Sequence, residues 1–195
     1  IDPPTTHTYT PRLSSAASDV YKRQAAYTGA TDNGPLRGGK FTQFEGGLAV
    51  PLVVKAAGQP VAGVVDTPAL LTDIFATLLA QLELPLPADR AYDSWNLLAP
   101  DAMPQRRLFW RSDFNLAVHD GRWKLLRNDR DAVLMLFDLL TDPGEREDVS
   151  AAHPGVVDDL NTALNEWMAG LEAPRWPRVM NYRYEDAAGA YWFAI

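Results

Sequence analysis

The 195-residue sequence predicts an α/β fold in two parts: a sheet-and-helix portion, then a small antiparallel β-sheet subdomain with a packed C-terminal helix. Three observations predict it. Residues 50–55 form a valine-rich apolar run, the kind of strand that a mostly parallel sheet buries on both faces. Leu70, Leu71, Ile74, Phe75, Leu78, Leu79 and Leu82 recur at spacings of three and four, the stripe of a core-facing helix. Beyond residue 105, short apolar runs separated by turn residues replace that period, and Asp120-Gly121 between two of them is the sharpest hairpin signal in the chain.

Taken in order, residues 1–24 are rich in Thr, Ser, Pro and Ala without a helical or strand period, and read as a non-native or disordered leader. The first unit is expected over residues 25–103 and the second over 104–195, with the boundary between Pro100 and Pro104. Within the first unit, residues 35–51 set Gly38-Gly39 and Gly46-Gly47 around Lys40, so that two glycine turns flank one cation. The helix spans residues 68–82, with Thr67 able to cap it and Pro68 at the first helical position. After a loop over residues 85–105, strands are expected at residues 107–111, 116–119, 122–126 and 134–137. A last helix over residues 154–171 places Val157, Leu160, Leu164, Trp167, Met168 and Leu171 on one side, to pack across the small sheet. No internal repeat is present.

Composition narrows the classes. The net charge of −7, spread rather than blocked, and the lack of a basic stripe argue against a nucleic-acid or anionic-membrane partner. Zero cysteines exclude disulfides, cysteine-ligated zinc and thiol catalysis. Apolar runs are interrupted by Lys55, Asp66 or Asp73, so none is long enough to span a bilayer as a helix. A secretory signal cannot be read from the first residues.

Arg37-Gly38-Gly39-Lys40, Phe44-Glu45-Gly46-Gly47 and Val50-Pro51 together resemble the sulfatase family, within the alkaline phosphatase superfamily. Collinear pieces agree: residues 72–79 (Thr-Asp-Ile-Phe-Ala-Thr-Leu-Leu), Leu84-Pro85-Leu86-Pro87, residues 117–125 (Ala-Val-His-Asp-Gly-Arg-Trp-Lys-Leu), Leu136-Phe137-Asp138-Leu139 and Asp142-Pro143-Gly144-Glu145. Three positions depart from the family pattern, with Ala49 in place of a common arginine, Ala76 in place of proline and Ser94 in place of an Asp-Gly turn. The resemblance covers residues 26–176 and implies the C-terminal part of a sulfatase α/β sandwich followed by its small subdomain.

That family hydrolyses sulfate esters with a formylglycine made from Cys/Ser-x-Pro-x-Arg and a calcium ion on Asp and Asn oxygens. This chain has no cysteine, and none of its serines stands in that motif. The resemblance therefore implies a fragment, inactive alone, of an enzyme for sulfated small molecules or glycans, with calcium in the full-length parent and a periplasmic or extracellular setting. A phosphate or phosphonate ester hydrolase of the same superfamily, and a non-catalytic glycan-binding or association module, are the alternatives.

Lys40 is the candidate catalytic and substrate-binding residue, its ammonium suited to a sulfate oxygen and to charge growing on the ester oxygen. Asp32 and Asn33 resemble the family's calcium pair, yet they stand too near Lys40 and follow no apolar strand; they read first as a turn before Pro35, and no metal ligand is assigned. Glu45 is open between pairing with Lys40 or Arg37 and accepting from the glycine-turn amides. His119, beside a turn, is expected at the surface; His153 precedes a helix; Asp142, Glu145, Glu147 and Asp148 read as a turn and a solvated face. Trp176, Tyr182, Tyr184, Tyr191 and Trp192 could stack on sugar rings or pack back onto their own domain.

Overall fold

A computed structural model describes residues 33–55, 63–99, 105–176, 178 and 180–194. The leader, Asp32 and the proposed boundary between Pro100 and Pro104 lie outside the described residues. The centre is a four-stranded antiparallel meander in the order β1-β2-β3-β4. Its strands are β1 (Leu108–Ser112), β2 (Asn115–His119), β3 (Trp123–Asn128) and β4 (Val133–Asp138), each within two residues of the runs read from sequence. Asp120 closes the β2–β3 hairpin: its Oδ1 accepts from Arg122 N at 3.1 Å and Trp123 N at 2.8 Å, and Gly121 supplies φ +97°. Register follows, with His119 opposite Lys124 and Ala117 opposite Leu126.

Both faces of this sheet are covered, which is why Leu116-Ala117-Val118 is apolar without alternation and buried throughout. On one face Leu116, Val118, Leu125 and Leu136 meet Leu160 and Leu164 of the C-terminal helix, Pro154–Ala169. On the other, Ala117, Leu126 and Phe137 meet Phe44 and Phe193. Phe44 precedes a single helical turn, α1 (Glu45–Leu48), and Phe193 belongs to a second antiparallel sheet of β5 (Asn181–Asp186) and β6 (Gly189–Ala194). Of the C-terminal aromatics, Tyr184 and Tyr191 pack back beside Phe193, meeting Phe44 at centroid distances of 5.6, 5.8 and 5.8 Å, whereas Trp176 is 79% exposed.

Two expectations fail in the first half. Residues 50–55 form no strand, and Val53 is 90% exposed. A valine run becomes a strand only when a neighbour accepts its ladder hydrogen bonds, and the described residues provide none. The stripe helix, α2 (Asp73–Gln81), forms but is reversed: Asp73, Ala76 and Thr77 are buried while Leu71, Phe75, Leu78 and Leu82 are exposed. Its buried side is held by polar bonds. Asp73 accepts from Leu70 N at 2.7 Å and Trp95 N at 2.9 Å and pairs with Arg106, and Ser94 Oγ accepts from Ala76 N at 3.0 Å and donates to Thr72 O at 2.6 Å. The helix thus begins at Asp73, five residues after Pro68, and Ser94 rather than Thr67 supplies the side-chain acceptor for one of its first amides, Ala76 N. The C-terminal helix, α3 (Pro154–Ala169), starts at Pro154 as read from sequence. Among the described residues no helix is long and apolar enough to cross a membrane.

Candidate functional site

The glycine motif folds into a tight seat. Asn33 Nδ2 donates to Gly38 O at 3.0 Å, Gly39 N donates to Thr42 Oγ1 at 3.1 Å, and Thr42 Oγ1 donates to Gly39 O at 2.8 Å. Gly46 N donates to Arg37 O at 2.7 Å, laying the second glycine pair against the first. Glycine is required at that crossing, since a Cβ on Gly46 would lie 2.5 Å from both Arg37 O and Gly38 O, and Gly38 sits at φ +75°. Lys40 projects from the Gly39–Thr42 turn. Its Nζ lies 4.6 Å from the Phe41 ring centre, and among the described residues it has no hydrogen-bond or ion-pair partner.

The other cations around this seat are committed. Arg37 makes a fork on Asp186, Nε to Oδ2 at 2.6 Å and Nη2 to Oδ1 at 3.1 Å, donates to Glu145 O at 3.0 Å, and lies 4.1 Å from the Phe44 ring centre. Burial is the strongest single influence on Asp186 and opposes its charging, but the bond and charge of Arg37 together with the Ala188 N–H and Tyr184 outweigh it and hold the carboxyl below its usual range. Lys124, fully buried on β3, places Nζ 2.6 Å from Glu45 Oε1 and 2.9 Å from Glu145 Oε1. Glu145 Oε2 also accepts the Glu45 N–H at 2.5 Å. Burial pushes the Glu145 carboxyl up, against the pull of Lys124. The alternatives left open for Glu45 resolve to neither: its carboxylate takes Lys124, from the far strand.

His119 corrects a second expectation. It is buried on β2 opposite Lys124, with its Nε2 unpartnered among the described residues. Desolvation pushes its imidazole below the ordinary value, opposed by the nearby Glu45 carboxylate. The reason is the meander: a residue one step before a hairpin turn is still a central-strand residue when both sheet faces are covered. The acidic cluster divides. Asp142 Oδ2 accepts from Arg146 N at 2.6 Å and Glu147 N at 2.9 Å, a turn as read, whereas Glu145 is fully buried. His153 sits before α3 with its ring 4.8 Å from Trp123. Asn33 spends its amide on Gly38 O, the turn role; its proposed partner Asp32 lies outside the described residues. Among the described residues no group of three His, Cys, Asp or Glu side chains could hold a metal. Lys124, Glu145 and Asp186 were missed as members of this cluster. Lys124 had a signal, a lysine alternating into an apolar strand.

No family model matches the chain. An N-acetylgalactosamine-6-O-sulfatase of Bacteroides thetaiotaomicron is 32% identical over 169 residues, covering 75% of this chain and 33% of the relative. The chain carries a sulfatase-like region. Human N-acetylgalactosamine-6-sulfatase is 37% identical over 98 residues, 47% of this chain and 19% of that protein. A solved structure from work on glycosaminoglycan metabolism by Bacteroides thetaiotaomicron is 31% identical, with a TM-score of 0.42 over 50% of this chain and 24% of the other. The sulfatase-like chain spans about one third of the length of the curated relatives that it matches over most of its own.

Proposed function

We propose that the sulfatase-like region serves the hydrolysis of sulfate esters, with Lys40 as the cation that contacts the sulfate group. One observation carries the reading: at a seat where Arg37 and Lys124 are consumed by carboxylates, Lys40 alone of the three is presented by a tight turn with its ammonium unpaired among the described residues. Its N–H groups would bond a sulfate oxygen and offset charge growing on the ester oxygen as the S–O bond breaks. Sulfated glycans are the proposed substrate class, with 6-sulfated N-acetylgalactosamine first, supported by the names of the relatives.

The nucleophile and the calcium site belong, in this reading, to residues outside the present sequence. It contains no cysteine and no serine in Ser-x-Pro-x-Arg, and the described residues do not fit a calcium ion, because no acidic cluster stands beside Lys40 among them. The chain alone is expected to release no sulfate from an aryl sulfate or from N-acetylgalactosamine 6-sulfate, with or without added calcium. Turnover that Lys40→Ala abolishes would overturn this division of labour. In a longer protein that carries Cys/Ser-x-Pro-x-Arg upstream, Lys40→Ala should lower kcat by about 10²–10³ with the fold unchanged; an unchanged kcat would remove Lys40 from the chemistry.

A further inference from the structure

At the β1 edge, the helix-covered face of the sheet opens into a shallow, solvent-open cleft lined by Phe109, Trp110, Arg111, Trp167, Leu171 and Glu172. Two periodicities build it: Phe109 and Arg111, two apart on β1, share one face, and Trp167 and Leu171, four apart, lie together at the C-terminal end of α3. The Phe109 and Trp167 rings are stacked at 5.1 Å and 12°, giving the cleft a fixed aromatic wall.

Arg111 is the unexplained member. Among the described residues its guanidinium has no hydrogen bond or ion pair, and its Nε is buried without a partner. Elsewhere on the sheet Arg107 and Arg127 each hold a carboxylate. The carboxylates at the rim are already occupied, Asp113 by Arg178 and Glu172 by Arg175. β1 is also the edge strand, so alternate backbone N–H and C=O groups point outward, unpaired by the sheet.

We propose that this cleft binds an anionic pyranose, its oxyanion on the Arg111 guanidinium and one ring face on the aromatic wall. A guanidinium fork engages two oxygens of a sulfate ester or of a uronate carboxylate, and the C–H face of a sugar ring suits an indole or phenyl surface. The outward edge groups of β1 are placed to meet ring hydroxyls. This site does not depend on the role given to Lys40, because the glycine motif packs through Phe44 on the opposite face of the sheet.

The test is a ¹⁵N NMR titration of the full chain with N-acetylgalactosamine 6-sulfate, glucuronic acid, neutral N-acetylgalactosamine and sodium sulfate. Saturable shifts are expected at Phe109, Arg111 and Trp167 with at least one anionic sugar, the two arms telling sulfate from carboxylate. Arg111→Ala should weaken this binding about tenfold or more, and Arg111→Gln supplies a second variant should the first disturb the fold. Lys40→Ala should leave it unchanged. The proposal is overturned if neither anionic sugar shifts these residues, if neutral sugar or sodium sulfate alone binds as well, or if removing the guanidinium changes nothing. Shifts confined to the Lys40 turn would sink the cleft and leave the reading of Lys40 standing.

Discussion

Lys124 lies between Glu45 and Glu145 with its side chain fully buried, so the three groups stand or fall together. Lys124→Met keeps the apolar stem but leaves two carboxylates facing each other without a cation, and is expected to cost about 3–5 kcal/mol in urea unfolding. A loss near zero would show that the pair is solvated in practice. His119 makes a prediction of definite sign. Its folded-state value is pushed below the ordinary 6.5 by burial, with Glu45, Lys124 and Asp120 as the charges around it, so the fold favours the neutral ring. Stability should be fully present above 6.5 and decline as pH falls through the lowered value, and His119→Gln should flatten that decline. Glu145 acts oppositely: its raised value favours the protonated form, so its contribution is present below the ordinary 4.5 and fades as pH rises through the folded-state value. An acid-side slope that persists in His119→Gln would assign it to other groups.

At the scale of elements, the β5–β6 hairpin seats the glycine motif. Phe44 is enclosed by Phe137, Tyr184, Tyr191 and Phe193, and Arg37 is forked onto Asp186 two residues past Tyr184. Phe44→Ala should cost about 3–5 kcal/mol, and faster amide exchange at Gly38, Gly39 and Lys40 should accompany it if the hairpin is what holds that turn. Helix α2 is the contrasting case. Leu78 is 57% exposed, so at dilutions where the chain is monomeric Leu78→Gln should change stability by less than about 0.5 kcal/mol. A larger loss in equilibrium unfolding would mean that this face is covered in solution.

Across the whole molecule, burial is uneven. The antiparallel sheet is packed on both faces, whereas Val53, Val64 and the apolar stripe of α2 with its flanks, Leu71, Phe75, Leu78 and Leu82, are exposed in the first half. Apolar surface of this kind marks an interaction face. The chain is accordingly expected to bind an apolar fluorescent dye and to self-associate as concentration rises, and Phe75→Lys with Leu78→Lys should suppress both; a monomeric, dye-silent wild type would refute the exposure. Local periodicity and turn chemistry made much of the second half legible: Asp120-Gly121 set the hairpin, and the Leu160–Leu164 spacing set the helix face, because both signals act between near neighbours in sequence. The same reasoning misplaced residues 50–55 and the α2 stripe, since an apolar pattern states what can be buried but not whether a partner arrives. By itself the sequence determined the turn at Gly38-Gly39, Lys40 beyond it, the meander and α3, while Gly46-Gly47, read as a second turn, lies within the helical turn α1. Only the tertiary structure decided that Glu45 meets Lys124 and Glu145, that Arg37 meets Asp186, and that His119 is interior. Those contacts join residues from 79 to 149 positions apart in the chain or depend on cover over a sheet face, and no local periodicity carries that information.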